Sequence, residues 1–309
     1  TSVFSKLSEE LWSAGADVTY EVTDMITTTV GGAWSDTQRT SSRRGFIFDA
    51  PGTMPQGLGL LRPDLLLGTQ LVNYFEIGLL EDDESTPAFL ATLENWAGYG
   101  KVNVQLTPEF GVEAGVRYEK ADQTVTPIQV FTNSSGSSAT TGLSRAYWLP
   151  AGTVNWEAMP DLQLRLSASK TIARPQFREL IYQPFFDPDS NRVYLGNPLL
   201  VDSQLYNGEA RAEWYFDADQ RLSVSAFYKR IDNPIEAFVT QLSGYFTTSY
   251  ANAPKARLYG AEFELQKYFD VPGGVWEEGQ RVMLQALHAS HKHAAPRLAP
   301  AERDPLGQQ

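Results

Sequence analysis

Cysteine is absent from the 309 residues, which excludes a disulfide scaffold and any thiolate nucleophile or metal ligand. The absence suits a chain that crosses an oxidising compartment. Long apolar runs are missing as well: no stretch of about 18 apolar residues occurs, so no transmembrane helix is encoded. Basic residues are few, 25 Lys and Arg against 37 Asp and Glu for a net charge of −12, which argues against a general affinity for nucleic acid or anionic headgroups. Histidine is confined to His288, His291 and His293 near the end. The rest of the chain therefore lacks the positioned imidazole that Ser-His or Asp-His chemistry uses. A Gly-rich phosphate loop is also missing, since Val271-Pro272-Gly273-Gly274 reads as a turn. The opening TSVFSKLSEELW has neither an initiator Met nor a charged-then-apolar leader, and reads as an interior piece of a longer chain.

What is present is alternation. In Leu162 to Ser169, Leu162, Leu164, Leu166 and Ala168 point one way and Gln163, Arg165, Ser167 and Ser169 the other. A period of two is a strand with one apolar and one wet face. The ladder must end at Arg174-Pro175, because proline has no N–H to give and holds its predecessor extended. A polar and aromatic loop follows, down to Ser203. The same pattern recurs at Ala16–Val22, Ile26 to about Arg44, Lys101–Leu106, Val112–Glu119, Trp148–Glu157, Tyr206–Phe216, Leu222–Tyr228, Tyr259–Gln266 and Val282–Ala286. About ten strands are expected, joined alternately by short turns (Thr23-Asp24, Thr107–Phe110, Ala158–Asp161, Asp217–Gln220) and long loops (Asp49–Asn95, Thr132–Gly142, 175–203, Gln241–Asn252). Within the first long loop, Thr86–Trp96 reads as a short helix capped by Ser85 or Thr86 with Pro87 in its first turn.

All short turns fall at one end, as in outer-membrane barrels, whereas a soluble sandwich mixes loop lengths at both ends. Tyr20, Trp156, Trp214, Phe216 and Phe269 gather on the apolar face beside those turns, where a membrane interface selects aromatic rings. The opposite face carries Glu113, Arg117, Arg165, Glu209, Arg211, Glu213, Glu262 and Glu264, which suits a watery lumen. Glu262 and Glu264 are read as wall neighbours on one strand face rather than an acid/base pair. Asn133-Ser-Ser is formally a glycosylation sequon and is given almost no weight. Alternation collapses from Leu287, giving a barrel portion 1–286 and an off-pattern tail 287–309. For that tail a shifted reading frame is favoured over a natural disordered end and over a histidine metal site, since nothing frames the imidazoles as a second shell would.

Several stretches closely resemble the TonB-dependent receptors, gated transporters of Gram-negative outer membranes: SASKTIARPQFREL (Ser167–Leu180), LGNPLL (Leu195–Leu200), SAFYKRIDNPIE (Ser225–Glu236) and NAPKARLYGAEFELQKYF (Asn252–Phe269). AGVRYEKADQTV (Ala114–Val125) and WLPAGTVNWE (Trp148–Glu157) add weaker support. The resemblance implies a middle-to-late part of an all-β, antiparallel transmembrane barrel, without the plug domain or TonB box. It implies a non-enzymatic importer of a small nutrient (siderophore, vitamin or oligosaccharide), residing in outer-membrane lipid, powered through TonB and needing no cofactor. A passive porin, a soluble β-rich module and a non-functional fragment are the rival readings. Loop residues Arg174, Gln176, Phe177, Arg178, Asn197, Tyr245, Phe246 and Tyr250 are candidates for ligand contact. Against this stands plain loop packing, with Arg174 paired to Asp187 or Asp189.

Overall fold

The computed structural model describes residues 2–50, 54–55, 57–82, 88–129, 139–187, 190, 192–217, 220–242, 245–269 and 280–293. In chain order its strands are β1 (Ser2–Thr23), β2 (Ile26–Asp49), β3 (Gly78–Asp82), β4 (Ala88–Thr107), β5 (Phe110–Ile128), β6 (Thr141–Met159), β7 (Leu162–Ala173), β8 (Phe185–Asp187), β9 (Arg192–Leu195), β10 (Ser203–Asp217), β11 (Gln220–Asp232), β12 (Ile235–Leu242), β13 (Tyr245–Asn252), β14 (Lys255–Phe269) and β15 (Gln280–His293). Three short helices, α1 (Pro63–Leu66), α2 (Thr69–Phe75) and α3 (Phe177–Leu180), lie in the connections. The long strands form an antiparallel meander, β1-β2-β4-β5-β6-β7-β10-β11-β14-β15, with β3 added to the end of β2. A second, four-stranded sheet, β12-β13-β9-β8, is built wholly from two of the long loops.

Expected turns at 23–25, 107–110 and 158–161 close β1–β2, β4–β5 and β6–β7. The turn at Val271–Gly274, the sequon at Asn133 and the Ser85–Pro87 cap fall outside the described residues. From Ala88 on, the expected helix over Thr86–Trp96 is instead the first half of β4, paired with both β2 and β5. Ala, Leu and Glu favour a helix there, but two flanking strands offering ladder partners override so weak a preference. The expected loop Gln241–Asn252 is mostly the β12–β13 hairpin. Alternation fades at Leu287, yet β15 runs on to His293, opposite Ala256. The edge of β14 supplies partners whatever side chains the incoming strand brings.

The outer face shows how the sheet is set. Trp148 and Leu166 are 63% and 59% exposed, with Trp156, Trp214, Val224 and Phe263 exposed beside them. Trp148 and Trp156 bound this apolar stretch on β6. Their separation, at ~3.3 Å per residue and a tilt of ~40°, is about 20 Å along the barrel axis, near the ~25 Å of an outer-membrane apolar band. The upper aromatic belt also descends across the ladder. Trp34 pairs with Trp96, Tyr118 with Trp148 one step nearer the short turns, then comes Tyr206, and then Tyr228 paired with Tyr259. Tilted strands require this, because points at equal height fall on successively lower hydrogen-bonded rows.

Gly31 marks a close approach on the other face. A Cβ there would sit 2.5 Å from the Tyr99 ring and 2.8 Å from Asp17 Cβ. The ring covers the glycine and fills the hole its missing side chain leaves.

Candidate functional site

Above the membrane band the inner face turns apolar, and the loop after β7 folds onto it. Arg174-Pro175 ends β7 and directs the chain inward, and a capping box forms between Gln176 and Glu179. Gln176 N–H donates to Glu179 Oε2 at 2.8 Å, satisfying a donor at the N-terminus of α3. The single turn buries Phe177 and Leu180. With Ile181 and Leu200 they pack on Phe89, Ala91 and Val125 of the wall. This is the hydrophobic core among the described residues, and it lies between loop and wall.

Three asparagines join the loops. Asn197 N–H donates to Glu179 O at 2.6 Å, its Nδ2 donates to Tyr250 O at 2.9 Å, and its Oδ1 accepts from Leu199 N at 2.9 Å. Asn252 Nδ2 donates to Val201 O at 2.9 Å and to Asn233 O at 2.8 Å, while its Oδ1 accepts from Val201 N at 2.9 Å. Asn233 itself takes the left-handed region, φ 56°, which asparagine tolerates better than most residues. The LGNPLL, DNP and NAP motifs are therefore the joints that tie the 174–203 loop to the β12–β13 hairpin. Gly196 is required at the first joint, since a Cβ would lie 2.7 Å from Arg178 O, 2.8 Å from Glu179 O and nearer still to Ile181 O.

Charge fixes the loop's entry. Arg174 Nη2 donates to Glu119 Oε1 at 2.6 Å and Arg117 Nε to Glu119 Oε2 at 2.8 Å. Arg174, expected to pair with Asp187 or Asp189, pairs with the wall where Pro175 turns the chain toward β5; Asp189 lies outside the described residues. Gln123 Nε2 donates to Pro175 O at 2.9 Å. Asp202, just before β10, is buried and hydrogen-bonded to Tyr147. Burial pushes its carboxyl above the usual aspartate range, against the opposing pull of Tyr147, Arg174 and Arg145.

The other candidates separate cleanly. Gln176 is spent on the cap, Phe177 on the core with Arg39 over its ring at 5.2 Å, and Asn197 on the joint. Phe246 is exposed on β13, away from that core; of Tyr245 only the strand position is described. Arg178 and Tyr250 meet in a small cavity of about 80 Å³, with Lys6, Arg43, Phe185 and Tyr194. Here the Phe185 ring is flanked by two guanidiniums, Arg43 at 4.6 Å and Arg178 at 4.5 Å, with Tyr194 5.5 Å away. Burial raises the Tyr250 hydroxyl pKa above the usual tyrosine value, so the cavity offers cations and neutral aromatic groups together. Such a set holds a planar anionic ligand through charge and ring contacts. Lys6, Arg43, Phe185 and Tyr194 were not among the sequence candidates. The Arg43-Arg44 pair near the end of β2, in an acidic chain, is the signal that could have found them.

The eight charged wall residues share one face, and all but Glu262 are shown paired with one another or with neighbours. Lys101 meets Glu113 at 3.3 Å, Arg165 Nε donates to Asn155 Oδ1 at 2.9 Å, and Arg211 lies 3.3 Å from Glu209 and 3.9 Å from Glu213. Arg221 joins Glu213 at 3.8 Å to Glu264 at 2.9 Å, with Glu262 alongside on β14. Lower on this face a polar cavity of about 470 Å³ is lined by Glu109, Glu113, Asn155, Glu157, Arg165 and Glu213.

A meander of long tilted strands, apolar and ringed with aromatics outside, charged inside, with folded loops at one end among the described residues, has the build of a transmembrane β-barrel wall. The chain belongs to the TonB-dependent receptor-like β-barrel family, whose model matches residues 4–290. No curated protein matches it by sequence. Solved structures do: the copper transporter OprC has 13% identity and a TM-score of 0.62, with 94% of this chain and 39% of that one covered. The siderophore receptor PiuA from Acinetobacter baumannii has 14% identity and a TM-score of 0.57, with 92% and 39% covered. The ferric yersiniabactin uptake receptor FyuA from Yersinia pestis has 14% identity and a TM-score of 0.54, with 94% and 37% covered. Identities this low show the fold alone. The chain spans about two fifths of the length of these proteins, which are named as a transporter and receptors.

Proposed function

We propose that this chain supplies wall and extracellular loops to an outer-membrane receptor that imports a small anionic nutrient complex, a metal chelate being the best fit. The observation that carries this is the Phe185 ring held between Arg43 and Arg178 beside Tyr194 and Tyr250. Two guanidiniums against aromatic rings suit a flat, negatively charged ligand and disfavour a neutral sugar or a cation. The ferric yersiniabactin named for FyuA is a metal chelate of this kind. The charged inner face would wet the passage below. Energy would come from TonB, acting through a plug and TonB box encoded outside this chain. The work is binding and passage, with no catalytic role for the side chains.

The test uses the full-length gene product in detergent with the iron(III) tris-catecholate complex as probe, one flat catecholate arm of which would meet the cavity. Arg43→Gln and Arg178→Gln should each weaken binding about 10-fold, from ~1–2 kcal/mol per desolvated cation–ring contact and charge. Equal binding by wild type and the double variant would refute the site. Uptake that persists without TonB or a proton gradient would favour the passive-porin reading.

A further inference from the structure

The outward face of the sheet is not uniform where it meets the upper aromatic belt. On β7, β10, β11 and β14 one hydrogen-bonded row reads Lys170, Tyr206, Arg230 and Arg257. Lys170 and Arg230 flank the Tyr206 ring at 5.6 and 5.7 Å. One row higher, Lys255 stands opposite Asp232, and Asp232 receives both Arg230 Nε and Nη2 at 2.9 Å. Among the described residues these two rows carry four cations and one carboxylate on β7, β10, β11 and β14. Around the wall, β2 and β4 carry acids at the matching height: Asp36 opposite Glu94, with Glu94 accepting from the Trp34 and Trp96 indoles at 3.2 and 3.0 Å. Between the two arcs Lys120 is balanced by Asp122 at 3.7 Å.

A chain of net charge −12 has no electrostatic reason to gather cations on its apolar face. At the edge of hydrocarbon a Lys or Arg is costly unless its head reaches anions, and these stand in and just above the tyrosine row, where anions of the lipid surface are within reach of their long side chains. We propose that the Lys170–Arg230–Arg257–Lys255 arc is a binding site for the phosphate groups of a phosphorylated glycolipid in the outer leaflet. Arg230 and Arg257 supply forked donors suited to phosphate oxygens, Lys170 and Lys255 supply point charges, and Tyr206 holds the arc in place while its ring lies against the lipid's acyl root. The acidic arc on β2 and β4 repels the same phosphates, so the lipid is held on one side of the barrel. This rests on the reading of the apolar face as lipid-facing.

The experiment uses the full-length gene product. Flotation with neutral phosphatidylcholine vesicles first tests the membrane reading alone. Native mass spectrometry in detergent then compares diphosphoryl lipid A with the same lipid stripped of phosphate, for wild type, a Lys170→Gln/Arg230→Gln/Arg257→Gln variant, and Lys120→Gln as a control outside the arc. Wild type should prefer the phosphorylated lipid by more than 10-fold, and the triple variant should lose about 100-fold, from about fivefold per cation. Lys120→Gln should change little, and millimolar inorganic phosphate should not compete, since it lacks the acyl anchor. Flotation without any phosphate preference in wild type overturns this site and leaves the barrel standing. Equal loss in Lys120→Gln, or full competition by inorganic phosphate, also overturns it. Failure to float overturns both.

Discussion

Replacing Gly196 with alanine should open the loop floor without touching the barrel. The new methyl would meet three backbone oxygens of the α3 segment, Arg178 O and Glu179 O at 2.7 and 2.8 Å and Ile181 O closer. None belongs to a side chain that could swing aside. Relief requires moving the Gly196–Asn197 turn, which would lengthen or break the Asn197 N–H to Glu179 O bond of 2.6 Å and the Asn197 Nδ2 to Tyr250 O bond of 2.9 Å. Overpacking of this kind costs ~1–3 kcal/mol, and each lost bond about 1 kcal/mol. A total of about 3 kcal/mol is an increase of about 150-fold in the population of the open loop. Hydrogen exchange on the full-length product reads it directly: amides of residues 177–181 should lose protection by about that factor. Amides of β5 and β10 below the belt, held by ladders on both sides, should not change. The heat-modifiable mobility of the barrel should also be retained. Unchanged protection at 177–181 in the variant would show that the turn is not clamped as described, and the account of LGNPLL as a joint would fail.

Gly31→Ala should destabilise the wall by about 1–2 kcal/mol through collision with the Tyr99 ring; adding Tyr99→Ala should recover part of this in urea unfolding, and no recovery would refute the ring-over-glycine contact. Arg174→Gln leaves the buried Glu119 with Arg117 alone and should raise protease cutting between β7 and β10, at a cost of about 2–3 kcal/mol. In a double-mutant cycle Glu119→Gln should be much less harmful in that background than in wild type, and simple additivity would disprove the pairing. Because burial raises the folded-state pKa of Asp202, its protonation favours the closed loop. Protection of residues 177–202 should therefore rise as pH falls from the raised pKa toward the ordinary aspartate range, where the gain is complete. Asp202→Asn should remove this slope, and a slope of opposite sign would show that the surrounding arginines outweigh burial. We also propose a shifted reading frame behind the tail; translating the other two frames over codons 285–309 should reveal an alternating strand, and its absence from both would end that idea.

The ladder was legible because it is local. Leu162 to Ser169 declare their two faces within eight residues, and Pro108, Pro160 and Asp24 mark turns without reference to anything distant. The site was legible only in part. Arg178 and Tyr250 were named from their loops, whereas Arg43 lies near the end of β2, and Phe185 and Tyr194 are joined to it by no sequence spacing. Phe177 and Asn197 carry the same residue types as a binding site, and only their neighbours show that one is core and the other a joint.

The sequence by itself determined the meander, the apolar outer and charged inner faces and the position of the short turns, since a period of two, a proline and a glycine act over a few residues. Tertiary structure decided where the long loops go. The start of β4 became strand because β2 and β5 both paired with it, the loop after β7 turned inward because Phe89, Ala91 and Val125 awaited it, and two guanidiniums met across Phe185 because separate strands and loops converge there. Those outcomes rest on contacts between residues far apart in the chain, whose energies exist only once the wall has formed.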